Sequence, residues 1–473
     1  MGIKRYFSTK TNTITNAFGG ALTTRGTGSN MGEADVMQVF SVYGQASSAS
    51  SELSRVLVDF PISTVSSNRT AGSIPASGSV KFFLKLTNCP HTDTTPRQFT
   101  LNVAAVSRSW NQGTGVDTIN YTDLGASNWI NAAITSSVLF PSASWVNQGG
   151  DFLTGSGYYV GSQYFTEGTE NLEVDVTSLV EQQIGGAIGS YGFGVFLTSS
   201  LEAATTSYYT KKFFASGSEY FFYRPVLEAR WNSALQDDSN NFYLSSSLAD
   251  ASSNINTLYL YNVIKGQLKN IPSIGTGSVF LTVHTASRAP AIQNAVTGGW
   301  VSTGIYSASI VYTGTPTTIY PVWFSGSIQY HTGSAITVKT FDSSDNFETN
   351  NYYCKITNLK TNYATNENPS FRLYVRQRDW QPTIYTVANV NPETLAVKKI
   401  YYKIFRLVDN YEVIPYGTGS QQETLLSYDK DGNYFSLDMS IFESGYSYGI
   451  KFLININDNE YKEQSEVFKF RVI

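Results

Sequence analysis

Charge is scarce in this sequence. Only 14% of its 473 residues are Asp, Glu, Lys or Arg, against about 25% in ordinary soluble proteins. The 32 basic and 36 acidic side chains leave a formal net charge of −4, too weak and too evenly spread to neutralise a phosphate backbone, so DNA and RNA are disfavoured as partners. Cysteine is nearly absent: Cys89 and Cys354 lie far apart and read as free thiols, and a chain this long buries enough surface without covalent staples. Histidine is confined to His91, His284 and His331, none with a second His or Cys at ligand spacing, so no metal site is expected and each is read as structural or surface. No stretch approaches the roughly 18 consecutive apolar residues of a transmembrane helix. The opening MGIKRYFSTKTNTITNAFGG has neither the apolar run of a signal peptide nor, with Tyr6, the Ser or Thr of a myristoylation signal. The expectation is synthesis in a cytoplasm, with exposure outside only after lysis, and no membrane insertion.

What the sequence has instead is aromatic residues and glycine. With 32 Tyr, 28 Phe, 7 Trp and 38 Gly set among Ser- and Thr-rich stretches, and few runs of helical period, the chain reads as all-β. Alternation of period two marks strands at Leu53–Phe60, Val80–Leu86, Phe99–Val106, Leu172–Val176, Gly192–Leu197 and Arg224–Trp231. One segment departs from it: Asp175–Gly186 puts Val176, Leu179, Val180 and Ile184 on one helical face, with Asp175 as N-cap and Gly185 or Gly186 as the stop. The polar run NSALQDDSNNF after Trp231 is the best linker candidate, and NYATNENPS (Asn362–Ser370) marks a second boundary. These divide the chain into 1–232, an N-terminal arm plus a large jelly-roll-like sandwich; 233–362, a second β-sandwich; and 363–473, a sandwich of immunoglobulin or fibronectin size. Asp431-Gly432 and Asn457-Asp458 are natural hairpin turns. No short repeat is present, which argues against a propeller or solenoid.

Catalytic constellations do not stand out, so no catalytic residue, cofactor or metal ligand is assigned, and the chain is read as a non-enzyme. Asp59 and Asp175 are better explained as a buried hydrogen-bonded carboxylate and a helix cap than as a glycosidase pair. Asp429–Asn433 lacks the glycine and glutamate positions of an EF-hand loop, and Phe341–Asn350 is an acidic loop that reads as a solvated turn rather than a calcium site. The glycine-rich stretches lack the lysine and helix of a phosphate loop. The remaining candidates are Trp110, Trp129, Trp145, Tyr158 and Tyr159, aromatic residues in loop-like segments, where exposed rings could stack on a host-surface glycan. Core or interface packing explains the same residues.

Several pieces of the first 232 residues resemble the DNRLRE-type β-sandwich, a carbohydrate-binding-module-like jelly roll. They are Arg55, Asp59 and Phe60 on an early strand, the helix start Asp175-Val176-Thr177, a late Lys211–Phe214, and the closing Arg224-Pro225-x-Leu227-Glu228. The whole chain, through its opening MGIKRYFSTKTNTITNAF and the segments SSELSR, SYYTKKFF and INTLYLYN, is similar to virion structural proteins of T4-related contractile-tailed marine phages, including those of cyanobacteria. That resemblance implies a virion protein at the neck, collar or tail, held by other virion proteins and present as a homo-oligomer. The alternative it leaves open is a carbohydrate-binding adhesin or receptor-recognition protein of the tail fibre or baseplate. On the leading reading, the first 30 or so residues would be an extended arm that anchors the protein.

Overall fold

The computed structural model describes residues 2–91, 96–122, 126–133, 143–286, 290–341, 351–378, 394–457 and 460–473. The chain is all-β, and its sandwiches follow one another in tandem. It divides between Trp231 and Asn232 into two compact units.

The N-terminal unit is two antiparallel sheets closed on one core. The smaller orders its strands Ile3–Phe7, Val226–Arg230, Lys81–Leu86, Leu172–Asp175. The larger orders Gly161–Phe165, Phe99–Ala105, Phe193–Leu197, Ser51–Asp59, Val36–Tyr43, Tyr208–Phe214, with Lys10–Thr15 also paired to Ser51–Asp59. Alternate residues of each strand meet between the layers: Phe82 and Leu84 from one sheet, Val56, Val58, Leu101, Val103 and Val195 from the other, all essentially inaccessible. Two helices close one end, α1 (Ile62–Thr70) and α2 (Thr177–Ile184), tied together by the Arg69 guanidinium on both oxygens of Glu181, at 2.7 and 2.6 Å. The helix expected over 175–186 is α2; its N-cap position is Val176, and Asp175 serves from one residue earlier by accepting the Thr177 N–H. Among the described residues, the opening segment is no arm. Ile3–Phe7 is the edge strand of the smaller sheet, in register Ile3 to Arg230 through Phe7 to Val226, and Thr11–Thr15 are wholly buried against Ser51–Asp59.

The C-terminal unit holds two further sandwiches. In the first, the Val296–Ser302 strand changes layers: Val296–Gly298 pairs with Val279–His284, and Gly299–Ser302 with Ile305–Ile310. A Cβ on Gly298 would come within 2.3 Å of the Ser307 carbonyl oxygen, so glycine permits the turn of this corner. The folded-over sheet, completed by Asn256–Tyr261, Thr318–Ser325, Ile328–Thr332 and Ile336–Thr337, wraps Leu258, Leu281, Tyr306, Tyr312 and Trp323.

The last sandwich is immunoglobulin-like. One sheet orders Tyr352–Ile356, Ser370–Gln377, Gly432–Ser436, Ser427–Asp429; the other orders Asn362–Tyr363, Phe468–Val472, Ser447–Asn457, Ile400–Arg406, Glu412–Ile414. This is the ABED and GFC arrangement, with a short parallel strand added beside the last one. The Tyr448 hydroxyl donates to the Glu443 carbonyl five residues upstream, at 2.8 Å, the tyrosine corner of this fold. In place of an inter-sheet disulfide the core holds stacked rings, Phe435 on Phe371 and on Tyr402 at 5.2 and 4.8 Å. The sequence placed its boundary at 362/363, but Tyr352–Ile356 pairs with Ser370–Gln377 and belongs to this sandwich. Nor is 232–242 a free linker: Leu235 N–H donates to Ser427 Oγ, Gln236 bridges to Tyr428, and Asp237, Asp238 and Phe242 are buried. Asp429 to Gly432 forms the expected tight hairpin, with Gly432 at φ +99°. The other expected turn, after Asn457, and the acidic loop beyond Phe341 lie outside the described residues.

Candidate functional site

The three tryptophans singled out from the sequence are interior. Trp110, Trp129 and Trp145 pack with Ile14, Leu57 and Val106 as a second apolar layer on the outer face of the larger N-terminal sheet. The Trp110 indole donates to the Tyr191 carbonyl at 2.9 Å and that of Trp145 to the Asn128 carbonyl at 2.8 Å. The ring of Trp129 lies 5.4 Å from the Arg55 guanidinium, which also grips both oxygens of Glu202 at 2.9 and 2.6 Å. Loop backbone can be buried here because asparagines satisfy it: Asn30 donates to the Gln112 and Ser127 carbonyls and accepts from Gly32 and Gly115. These three rings have no face to offer a sugar. Tyr158 and Tyr159 do reach solvent, at 43% and 41% exposure.

The residues carrying the sandwich resemblance also have structural work. Asp59 is nearly buried, accepts the Phe60 N–H and pairs with Lys10 at 3.1 Å. Lys211 is 1% exposed, and its ammonium donates to Asn88 Oδ1 and to the Gly168 and Glu170 carbonyls. Burial pulls it down to about 8 against the support of the Glu170 carboxylate. Glu228 is 2% exposed among Arg5 and Arg230, each at 2.6 Å, and Lys85 at 3.4 Å. Burial raises its proton affinity, but these three cations outweigh it and hold the carboxyl well below its ordinary range. Removing the shared anion strands half-buried guanidinium groups. We expect Glu228→Gln to cost the N-terminal unit about 3 kcal/mol in urea unfolding, the low end for a broken buried pair because Arg230 keeps Glu173 at 2.7 Å; an unchanged midpoint would show that the cluster contributes nothing net.

A recess lies in the C-terminal unit, where the folded-over sheet of the first sandwich leaves Asn256–Tyr261 as an edge. A cavity of about 280 Å³ runs along it, faced by Pro321, Trp323, His331 and Ile336 and rimmed by the Asp429–Asp431 turn. The Thr257 N–H and carbonyl point away from the Ile305–Ile310 strand and are taken up by Asp238, both at 2.8 Å. Backbone direction repeats every second residue, so Tyr259 and Tyr261 present their N–H and C=O groups to the same open side. Their rings lie 6.3 Å apart. Three carboxylates stand at this end of the cavity in different states. Asp238 accepts from the Tyr428 hydroxyl at 2.7 Å and from Thr257, and Asp429 is clamped by Arg372 at 2.7 and 2.8 Å. Asp237, 7% exposed, accepts the Ser239 N–H at its Oδ1, at 3.1 Å, its one side-chain partner among the described residues. Burial pushes its carboxyl up to about 7, with Asp429 and Asp238 adding repulsion and the Ser239 hydrogen bonds only partly opposing. The sequence held one visible signal of this site: the alternation Leu258-Tyr259-Leu260-Tyr261 sends the leucines inward and the tyrosines out. Among the described residues no group of three or more His, Cys, Asp or Glu is disposed to hold a metal ion.

A second surface feature lies on the same sandwich. The Val263–Ile264 and Gln267–Leu268 hairpin exposes Val263, Ile264 and Leu268, and Trp300 joins them with its Nε1–H donating to Asn270 Oδ1 at 3.2 Å. These are large apolar side chains gathered at one corner, with Trp300 42% exposed.

No family model matches the chain, and no curated protein matches it. Among solved structures it shows similarity to a marsupial T cell receptor, with 7% identity over 46% of this chain and 68% of that one, at a TM-score of 0.16. The N-terminal Ig1-2 module of the Drosophila receptor protein tyrosine phosphatase DLAR is 9% identical over 46% of this chain and 90% of that one, at 0.15. The native conformation of E. coli alpha-2-macroglobulin is 9% identical over 93% of this chain and 20% of that one, at 0.16. At such scores the likenesses carry no argument; the immunoglobulin-like character rests on the strand order and the Tyr448 corner.

Proposed function

We propose that this chain is a non-enzymatic structural protein of a phage virion, attached at the neck, collar or tail and present in several symmetric copies. The observation that supports it best is the exposed corner of Val263, Ile264, Leu268 and Trp300, an apolar patch set on rigid sandwich scaffolding as protein-contact surfaces are. An apolar patch has no charge sign with which to repel its own copy, so a second copy of this chain is the occupant we assign to it. The role is mechanical: repeated contacts supply avidity that one small patch lacks. With the first strands built into the N-terminal sandwich, attachment falls to folded surfaces of this kind rather than to a draped arm. The alternative role in glycan recognition loses Trp110, Trp129 and Trp145 as contacts and keeps Tyr158 and Tyr159.

Immunogold electron microscopy of intact particles, with antibodies to the immunoglobulin-like sandwich, tests the location. Label at the neck or along the tail is expected; unlabelled particles whose denatured protein is also antibody-negative would remove the reading. Light scattering of the purified chain tests the copy number: Trp300→Glu is expected to shift an oligomer to monomer, since a buried charge at an interface core costs several kcal/mol. An unchanged mass would show that the patch is not the contact.

A further inference from the structure

We propose that the cavity bordered by Tyr259, Tyr261, His331 and Asp431 binds one neutral pyranose ring of a saccharide. This goes beyond the virion role proposed above and stands without it.

Charge is the first argument. Arg372 already neutralises Asp429, Lys398 stands 3.9 Å from Asp238, and Lys430 lies between Asp429 and Asp431 in the turn. Asp237 is deep in the recess and carries its proton through much of the range below neutrality. No net sign remains to select an ion, which favours an uncharged ligand. The second argument is the mixture of hydrogen-bonding groups. The edge backbone at Tyr259 and Tyr261 supplies donors and acceptors; Asp431 adds an acceptor at the rim and His331 either kind. Asp237, nine-tenths buried with Ser239 as its partner, has hydrogen-bonding capacity left over toward the cavity. Vicinal hydroxyls, each both donor and acceptor, match such a set. The third is the Tyr261 ring, 37% exposed and lining the cavity beside Tyr259, against which the C–H face of a pyranose packs as other flat apolar faces do.

Size discriminates among ligands. At about 280 Å³ the cavity lies just below the range of drug-sized sites, about 300–1,000 Å³, which suits one ring rather than an oligosaccharide buried end to end. An extended peptide adding as a strand needs several consecutive free edge positions. Here only Tyr259 and Tyr261 are open, because Thr257 is already occupied by Asp238.

The test is saturation-transfer NMR on the full-length chain with the methyl glycosides of glucose, galactose, mannose and N-acetylglucosamine. For a ligand of a dozen heavy atoms the usual binding efficiency gives a Kd of about 1 mM. Transfer to the ring protons of at least one glycoside is expected. Asp431→Ala and His331→Ala, both at exposed positions, should each weaken binding about tenfold, the loss of one good hydrogen bond. Ala335→Trp, which fills the mouth from an exposed position, should abolish it while leaving the melting temperature unchanged. Two results overturn the proposal: no transfer from any of the four at about 20 mM, some twentyfold above the expected Kd, or binding that survives Ala335→Trp. Protection of the Tyr259 and Tyr261 amides by an added unstructured peptide, with no response to sugars, overturns it in favour of strand addition.

Discussion

Removal of residues 1–15 is expected to unfold the N-terminal sandwich. The segment supplies two strands: Ile3–Phe7 against Val226–Arg230, and Lys10–Thr15 against Ser51–Asp59. Ile3, Tyr6 and Ile14 are buried, and at about 1.5–3 kcal/mol each their loss removes about 7 kcal/mol, the size of a typical domain's whole stability of about 5–15 kcal/mol. Polar links go with them. Asn12, inaccessible to solvent, donates to the Ser127 carbonyl and accepts the Met31 N–H, so its deletion leaves buried loop groups unpaired. Arg5 leaves Glu228 with two cations instead of three, and Lys10 no longer meets Asp59 or the Trp110 ring, 4.7 Å from its ammonium. Calorimetry of the truncated chain should lose the transition of Ile3–Trp231 and keep that of Asn232–Ile473. A dispensable arm would leave both, and that outcome would return the segment to an anchoring role.

The strands were legible in the sequence because burial on one face writes itself as alternation, as in Leu172–Asp175 and Phe371–Val375. Ser51–Asp59 breaks that rule, since Val56 and Val58 face the core while Leu57 faces the tryptophan layer. The same double burial left glycan contact and core packing both open for the tryptophans, and the structure shows core packing. Their surroundings are rich in Asn, Gly and Ser, which look like solvent-facing loop, whereas those side chains satisfy buried backbone. Helix α1 was invisible because ISTVSSNRT has only Ile62 and Val65 to bury and carries serines and β-branched residues throughout. Asn232–Phe242 looked like a linker because polarity was its only local signal; the partners that bury Asp237 and Asp238 lie at Thr257, Lys398 and Tyr428. The cavity is hidden for the same reason, its walls coming from segments around residues 237, 259, 323, 331 and 430. Sites assembled from distant strands leave no contiguous motif to read.

The C-terminal unit is expected to lose stability as pH rises from about 4 to about 7, with Asp237 as the cause. Its carboxyl stands near 3.8 when unfolded and at about 7 in the folded chain. Between those values the folded state keeps a proton that the unfolded state has released, so ν_U is smaller than ν_N and the unfolding free energy falls with pH; above 7 the loss levels off. The ceiling is about 4 kcal/mol, at roughly 1.4 kcal/mol per unit. Glu463 works elsewhere on the scale. Burial opposes its ionisation, but Lys403, Lys451 and Tyr416 bring it down to about 2, so its contribution is lost only below the ordinary carboxylate range. Urea unfolding of the full chain at pH 5 and pH 8 should therefore show the Asn232–Ile473 transition weakening at the higher pH. Asp237→Asn keeps an oxygen for the Ser239 N–H and cannot ionise, so its profile should be nearly flat and its stability at pH 8 higher than wild type by up to about 4 kcal/mol. Parallel profiles for the two proteins would defeat the assignment. Asp238→Asn is the contrasting variant: its carboxylate serves the Tyr428 hydroxyl, the Thr257 N–H and, at 3.9 Å, the Lys398 ammonium. Neutralising it should weaken the unit by about 1–2 kcal/mol at both pH values, which separates the effect of charge at a satisfied carboxylate from that of a proton held at a buried one.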